Sequence, residues 1–277
     1  MTDAVAQSGG RPVAVVVPVF LYHSVSDVPA AGQERFTVTP AQFDEHVAAF
    51  AASGRLALTI SEFARALRES RVPAKAVAVT FDDGFHDTLA AVQALRAKGI
   101  TSTVFVTSDR LDGAQGPSST AVREIAASGA EIGAHSVTHP HLDELPLARA
   151  VHEIEESKSS LEARLELTLD TFAYPYGAHD PRVRQAVIDA GFSSAAAVKN
   201  ALSHDHDDPF AIARLTITAD TPMSTLLAAL DGHGAPIAWA GERFRTRAFR
   251  QYRRLRHRTG ATPRPAAKSE GHRDDDG

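Results

Sequence analysis

Short apolar runs alternate with longer amphipathic segments along most of this chain. The first run, Val13–Val17 with Phe20-Leu21-Tyr22, is β-branched and aromatic and predicts a buried strand leading into His23-Ser24. A helix follows with clear start signals. Thr39 is placed to cap it, Pro40 opens it, Gln42 completes a capping box, and Phe43, Val47 and Phe50 form its inward stripe up to Gly54. Ser61-Glu62 caps a shorter helix to about Leu67. Beyond it, strands are predicted at 76–81, 102–106, 131–134, 169–174, 194–198 and 212–217. Helices are predicted between and after them at 88–98, 119–127, 147–165, 181–190 and 222–230.

Strand and helix in alternation, with strands apolar throughout, predict a parallel sheet covered by helices. About seven such units favour an α/β barrel over an open doubly wound sheet. The expected organisation is a loose leader over residues 1–11, a catalytic domain over 12–235, a basic helix over 236–260 and a disordered tail over 261–277.

Composition narrows the chemistry. The 277 residues are 43% hydrophobic with a net charge of -5, so a full core can be buried and no global basic field recruits nucleic acid. There is no cysteine, which leaves His and carboxylates as the strong metal ligands. No run reaches the roughly 18 apolar residues of a spanning helix, and Pro12–Phe20 reads as a strand rather than the apolar middle of a signal peptide. A cytoplasmic location is therefore expected.

Three segments draw attention. Thr80-Phe81-Asp82-Asp83-Gly84 puts two carboxylates where a buried strand must turn. Asp-Asp-Gly is also ordinary turn chemistry. His135-Ser136-Val137-Thr138-His139-Pro140 follows a short strand. With 13 histidines in the chain, chance supplies about 0.6 pairs at that spacing, so the pair is weak alone. Two imidazoles and one carboxylate would make a three-ligand site with an open position, the hallmark of a catalytic metal. Tyr174-Pro175-Tyr176-Gly177 reads first as a turn. All three nonetheless fall at C-terminal strand ends, the face where barrel enzymes carry their active sites.

In this order and spacing the three segments resemble the polysaccharide deacetylase family, the chitooligosaccharide deacetylase homology domain of carbohydrate esterase family four. The resemblance runs from near Tyr22-His23, through the helix entry at 59–63, to about Arg214. It implies a distorted (β/α) barrel holding one divalent metal, usually Zn2+ with Co2+ as an alternative, on Asp83, His135 and His139. It implies Asp82 as general base, and an N-acetylated glycan or amino-sugar intermediate as substrate. Tyr174, Pro175, Tyr176, Gly177 and His23 are the expected substrate-binding residues, with the Tyr176 N–H helping to stabilise the oxyanion. Other amides, acetyl esters, or mere carbohydrate binding by an inactive relative are the competing readings.

The chain departs from the family pattern in two places. Many members carry an Arg two residues before the Pro of the third segment, where this chain has Ala173. Arg214 is the candidate replacement, because a guanidinium can grip Asp82 through both carboxylate oxygens. The late Leu-x-Leu-His-type segment that supplies the usual general acid is not evident. His204 and His206 lie in an Asp-rich stretch that reads mainly as loop surface, and His179 reads as solvent-exposed.

Arg243–Arg258 carries eight arginines and no acid, with Phe244, Phe249, Tyr252 and Leu255 at roughly helical spacing. Such a helix either packs on the barrel with a solvated Arg face or makes peripheral contact with an anionic membrane.

Overall fold

A computed structural model describes residues 15–114 and 116–239. The leader (1–11), the arginine-rich segment (243–258) and the tail (261–277) lie outside the described residues.

Seven strands form the barrel path of the central sheet: β1 (Val19–Tyr22), β2 (Ala76–Phe81), β3 (Thr103–Val106), β4 (Glu131–Ala134), β5 (Thr171–Ala173), β6 (Ser194–Ala196) and β7 (Leu215–Thr216); a short eighth, Leu56–Ala57, pairs with β2 off that path. All neighbours are parallel, in the order β6-β5-β4-β3-β2-β1-β7. The curled sheet nearly closes on itself. β7 pairs with β1, and just upstream Ile212 exchanges backbone hydrogen bonds with Ala195 and Ala197 beside β6. The result is the expected distorted barrel.

Among the described residues seven α-helices accompany it: α1 (Pro40–Ala52), α2 (Ile60–Arg68), α3 (Thr88–Arg96), α4 (Ser119–Ala127), α5 (Leu147–Leu165), α6 (Pro181–Asp189) and α7 (Met223–Leu230). The Thr39–Gln42 capping box opens α1 as its sequence predicts. The cap of α2 is Thr59, with Glu62 completing the box, two residues upstream of the predicted Ser61. The predicted opening strand is split at Pro18, which has no N–H for a ladder. Val16–Val17 pairs antiparallel with Ser203–His204, and only β1 joins the barrel. Residues 236–239 are not the start of a helix. Leu202 bonds the Pro236 carbonyl and accepts from Ala238, so this stretch runs extended along the domain.

Alternation along the strands sorts two cores. Phe20, Tyr22, Val77, Val79, Phe81, Val104 and Val106 face outward and join the layer that contains Phe43, Val47 and Phe50 of α1. Val19, Ala76, Ala78, Phe105, Ala173, Ala196 and Ile212 form a second cluster with Ile60, Phe63, Ala64 and Leu67 of α2. Thus α2 plugs one end of the barrel rather than covering its side. Its first N–H groups bond Thr103 and Glu131 at the N-terminal ends of β3 and β4, so the opposite end stays open. Gly133 is required here: a Cβ would lie 2.6 Å from the Phe105 ring and 2.7 Å from Thr171.

Candidate functional site

The open end is a cavity of about 280 Å3, whose lining includes His23, Asp82, Asp83, Arg110, His135, His139 and Tyr176. That is near the lower end of the roughly 300–1,000 Å3 range of small-ligand sites.

Asp82 continues the alternation of β2 past the strand end and points inward below the mouth. Asp83 would then point away, but its φ of 72° reverses the chain and brings the second carboxylate to the same cavity. Both acids therefore enter the site, where simple turning predicts one inside and one flanking. Left-handed backbone outside glycine costs about 1–2 kcal/mol, least at Asp and Asn.

Asp82 is buried and clamped. Arg214 donates from Nη1 to Oδ1 (2.6 Å) and from Nη2 to Oδ2 (2.8 Å). The guanidinium is fully buried, donates from Nε to the Ala197 carbonyl (3.2 Å) and from Nη1 to the Thr80 hydroxyl (3.2 Å), and lies 5.4 Å from the Phe105 ring centroid. Burial alone would raise the Asp82 pKa. The Arg214 charge, followed by His135, outweighs it and brings the group down to about 2.

His135 Nδ1 lies 2.8 Å from the Ala173 carbonyl. A carbonyl only accepts, so Nδ1 carries the proton and the Nε2 lone pair is directed into the site, 3.6 Å from Asp82 and 3.9 Å from Asp83. Ala173, where an Arg was looked for, thus serves through its backbone. His139 stands edge-on to His135, with Nε2 3.2 Å from Asp83 Oδ1. Burial, then the neighbouring His135, lowers the His139 pKa to about 4, leaving a neutral imidazole near neutral pH.

Asp83 Oδ1 is buried and accepts no hydrogen bond, although Arg110 Nη1 stands 3.1 Å away. Asp83, His135 and His139 each offer one ligand atom within 4.8 Å of the others. An orphaned carboxylate oxygen beside two imidazoles is a donor set that fits one divalent cation.

Other expected residues separate. His23 lines the cavity with Nδ1 unpartnered, and burial lowers its pKa. Tyr176 is 59% exposed, stacks on His141 with ring centroids 4.0 Å apart, and meets His139 edge-on. Tyr174 and Pro175 are buried and do not line the cavity. The Tyr174 hydroxyl donates instead to the Phe210 carbonyl (2.9 Å). Gly177 has a φ of 67°, and a Cβ there would sit 2.6 Å from the Val198 amide nitrogen.

Two surface readings need correction. His179 is partly buried, stacked on Tyr174 at 4.4 Å. His204 is buried, with Nε2 3.2 Å from the Ala238 carbonyl; His206 is exposed. Neither His204 nor His206 lines the cavity. Arg110 escaped sequence reasoning, though its place four residues beyond β3, on the active face of a barrel, was a usable signal.

Residues 69–195 match the family model for polysaccharide deacetylase, a span that holds all three segments but neither His23 nor Arg214. YxkH of Bacillus subtilis is 22% identical over 204 residues, 73% of this chain and 71% of that protein. The fold resembles that of the deacetylase PplD of Streptococcus pyogenes, solved in complex with acetate (TM-score 0.70, 23% identity, 77% of this chain and 97% of that one). It also resembles IcaB from Ammonifex degensii (TM-score 0.68, 21% identity, 80% and 99%). The span that matches the polysaccharide deacetylase model thus carries both acids, both histidines and the Tyr-Pro-Tyr-Gly turn to one end of a parallel barrel.

Proposed function

We propose that the protein is a metal-dependent N-deacetylase of an N-acetylated glycan or amino-sugar intermediate. Asp82 is its general base, and Asp83, His135 and His139 are the ligands of one divalent cation, preferentially Zn2+. The observation that carries this reading is the division of labour between adjacent acids. Asp82 is saturated by Arg214, whereas Asp83 keeps a buried oxygen that accepts no hydrogen bond beside the imidazoles of His135 and His139.

A bound cation would supply Lewis acidity, making a water easier to ionise and the acetyl carbonyl more electrophilic. Asp82, anionic throughout the working pH range, takes one proton from that water as its oxygen adds to the carbonyl carbon. Arg214 is a positioning residue: its fork fixes the carboxylate plane and keeps the base ionised despite burial. The Tyr176 backbone N–H is the proposed donor to the developing oxyanion. As the C–N bond breaks, the amine needs a proton. The proton that Asp82 took from the water is the one at hand, and it passes to the nitrogen as that bond breaks. Acetate and the free amine leave.

Acetate release from N-acetyl oligosaccharides, O-acetyl xylan and small amides, with added zinc or cobalt, tests the reading. Metal-dependent release from the N-acetyl sugars is expected. Release from the esters alone, or from none of the panel with metal bound, overturns it.

A further inference from the structure

We propose that Glu153, on α5, is a positioning residue that pre-forms the metal-ligand loop 135–139; the inference rests on the metal reading above. That loop is held in an unfavourable backbone. Ser136 has a φ of 62° and His139 a φ of 63°, neither being glycine. Two left-handed residues within four positions persist only where the surroundings over-determine them. From inside the loop, the Ser136 hydroxyl accepts from the His139 N–H (3.0 Å). From the segment after β3, the N–H groups of Ser108 and Asp109 donate to the Ser136 and Val137 carbonyls (3.1 and 3.2 Å).

Three further donors of the loop are taken by one carboxylate. Glu153 Oε2 accepts from the N–H groups of Val137 (2.9 Å) and Thr138 (2.8 Å), and Oε1 accepts from the Thr138 hydroxyl (2.7 Å). Glu153 is only 4% exposed and lies on the face of α5 that buries Ala150, Ile154, Ser157 and Leu161. An apolar residue would pack at such a place, and a carboxylate is tolerated because it receives three hydrogen bonds. The span it fastens, Val137-Thr138, lies between the two histidines. The conformation that turns His139 Nε2 toward Asp83 is therefore set from α5, before any cation arrives. Outer partners of this kind commonly alter metal affinity 10–100-fold.

The test compares Glu153→Ala and Glu153→Gln with wild type by chelator competition for zinc, by the absorption spectrum of the cobalt form, and by metal-free melting. Glu153→Ala is expected to weaken zinc binding about 10–100-fold and to change the cobalt spectrum. Glu153→Gln is expected to recover most of both, since one amide oxygen can accept both N–H groups while its NH2 faces the reversible Thr138 hydroxyl. A folded Glu153→Ala that melts lower but keeps wild-type affinity and spectrum makes Glu153 merely structural and overturns the proposal. Should Glu153→Ala fail to fold, Thr138→Val removes only the Oε1 hydrogen bond; a smaller loss of affinity supports the proposal, and unchanged affinity and spectrum overturn it. Wild type that binds no metal overturns the metal reading itself, a different failure from wild type that binds while the variants match it.

Discussion

Arg214 and Asp82, 132 residues apart, meet through two parallel hydrogen bonds of 2.6 and 2.8 Å inside the barrel. Arg214 sits on the segment that closes the sheet, between the Ile212 bridge to β6 and the pairing of β7 with β1. Closing the barrel and orienting the proposed base are therefore one structural event.

Replacing Arg214 by Met leaves burial to dominate at Asp82 and raises its pKa from about 2. The acid limb of kcat/KM should move upward into the measurable range, and activity at neutral pH should fall at least about tenfold. Lys should not restore it, because an ammonium lacks the planar fork. A pH–rate profile of each variant decides this; an unshifted acid limb in Arg214→Met would refute the role given to Arg214.

The same pair makes stability pH-dependent. The folded pKa of Asp82 lies below the unfolded value, so its contribution is fully present above about pH 4 and is lost as pH falls toward 2. Thermal melts of wild type and Asp82→Asn across that window should converge as the pH drops.

Asp82→Asn should reduce turnover by about 10²–10⁴-fold, the usual share of a positioned base, while metal content stays at wild-type level. Metal analysis beside acetate release separates the two. Wild-type turnover in the variant removes Asp82 as the base.

Asp83→Ala or His139→Ala should lose zinc, and activity with it. Chelation of the wild type should do the same, with recovery on adding zinc or cobalt. Activity that survives exhaustive chelation contradicts a metal mechanism.

Gly133→Ala should destabilise the fold by about 1–3 kcal/mol through overpacking against Phe105 and Thr171. Since Phe105 lies under the Arg214 guanidinium, the acid limb should also shift in the direction of Arg214→Met, though by less. Chemical denaturation and a pH–rate profile report the two effects.

Much of this was legible in residue order. Hydrophobic runs, the Thr39–Gln42 box and the glycine stops are local, so periodicity and capping located β2, β4, α4 and α5 at their observed bounds. The three segments at strand ends identified the face of the barrel and the acids and histidines that meet there. What local pattern could not carry was direction. The left-handed φ of Asp83 turns both acids inward, while Tyr174, beside an exposed Tyr176, turns away into the core. Nor could it carry partnership: Glu153 reads as one more charge on an amphipathic helix until the 135–139 loop is laid against it. By itself the sequence determined which elements form and which residue types are available for chemistry, because those depend on neighbours a few positions away. The tertiary structure alone decided that Arg214 reaches Asp82 and Glu153 reaches Val137 and Thr138, because those contacts exist only once a closed sheet and its packed helices bring distant residues together.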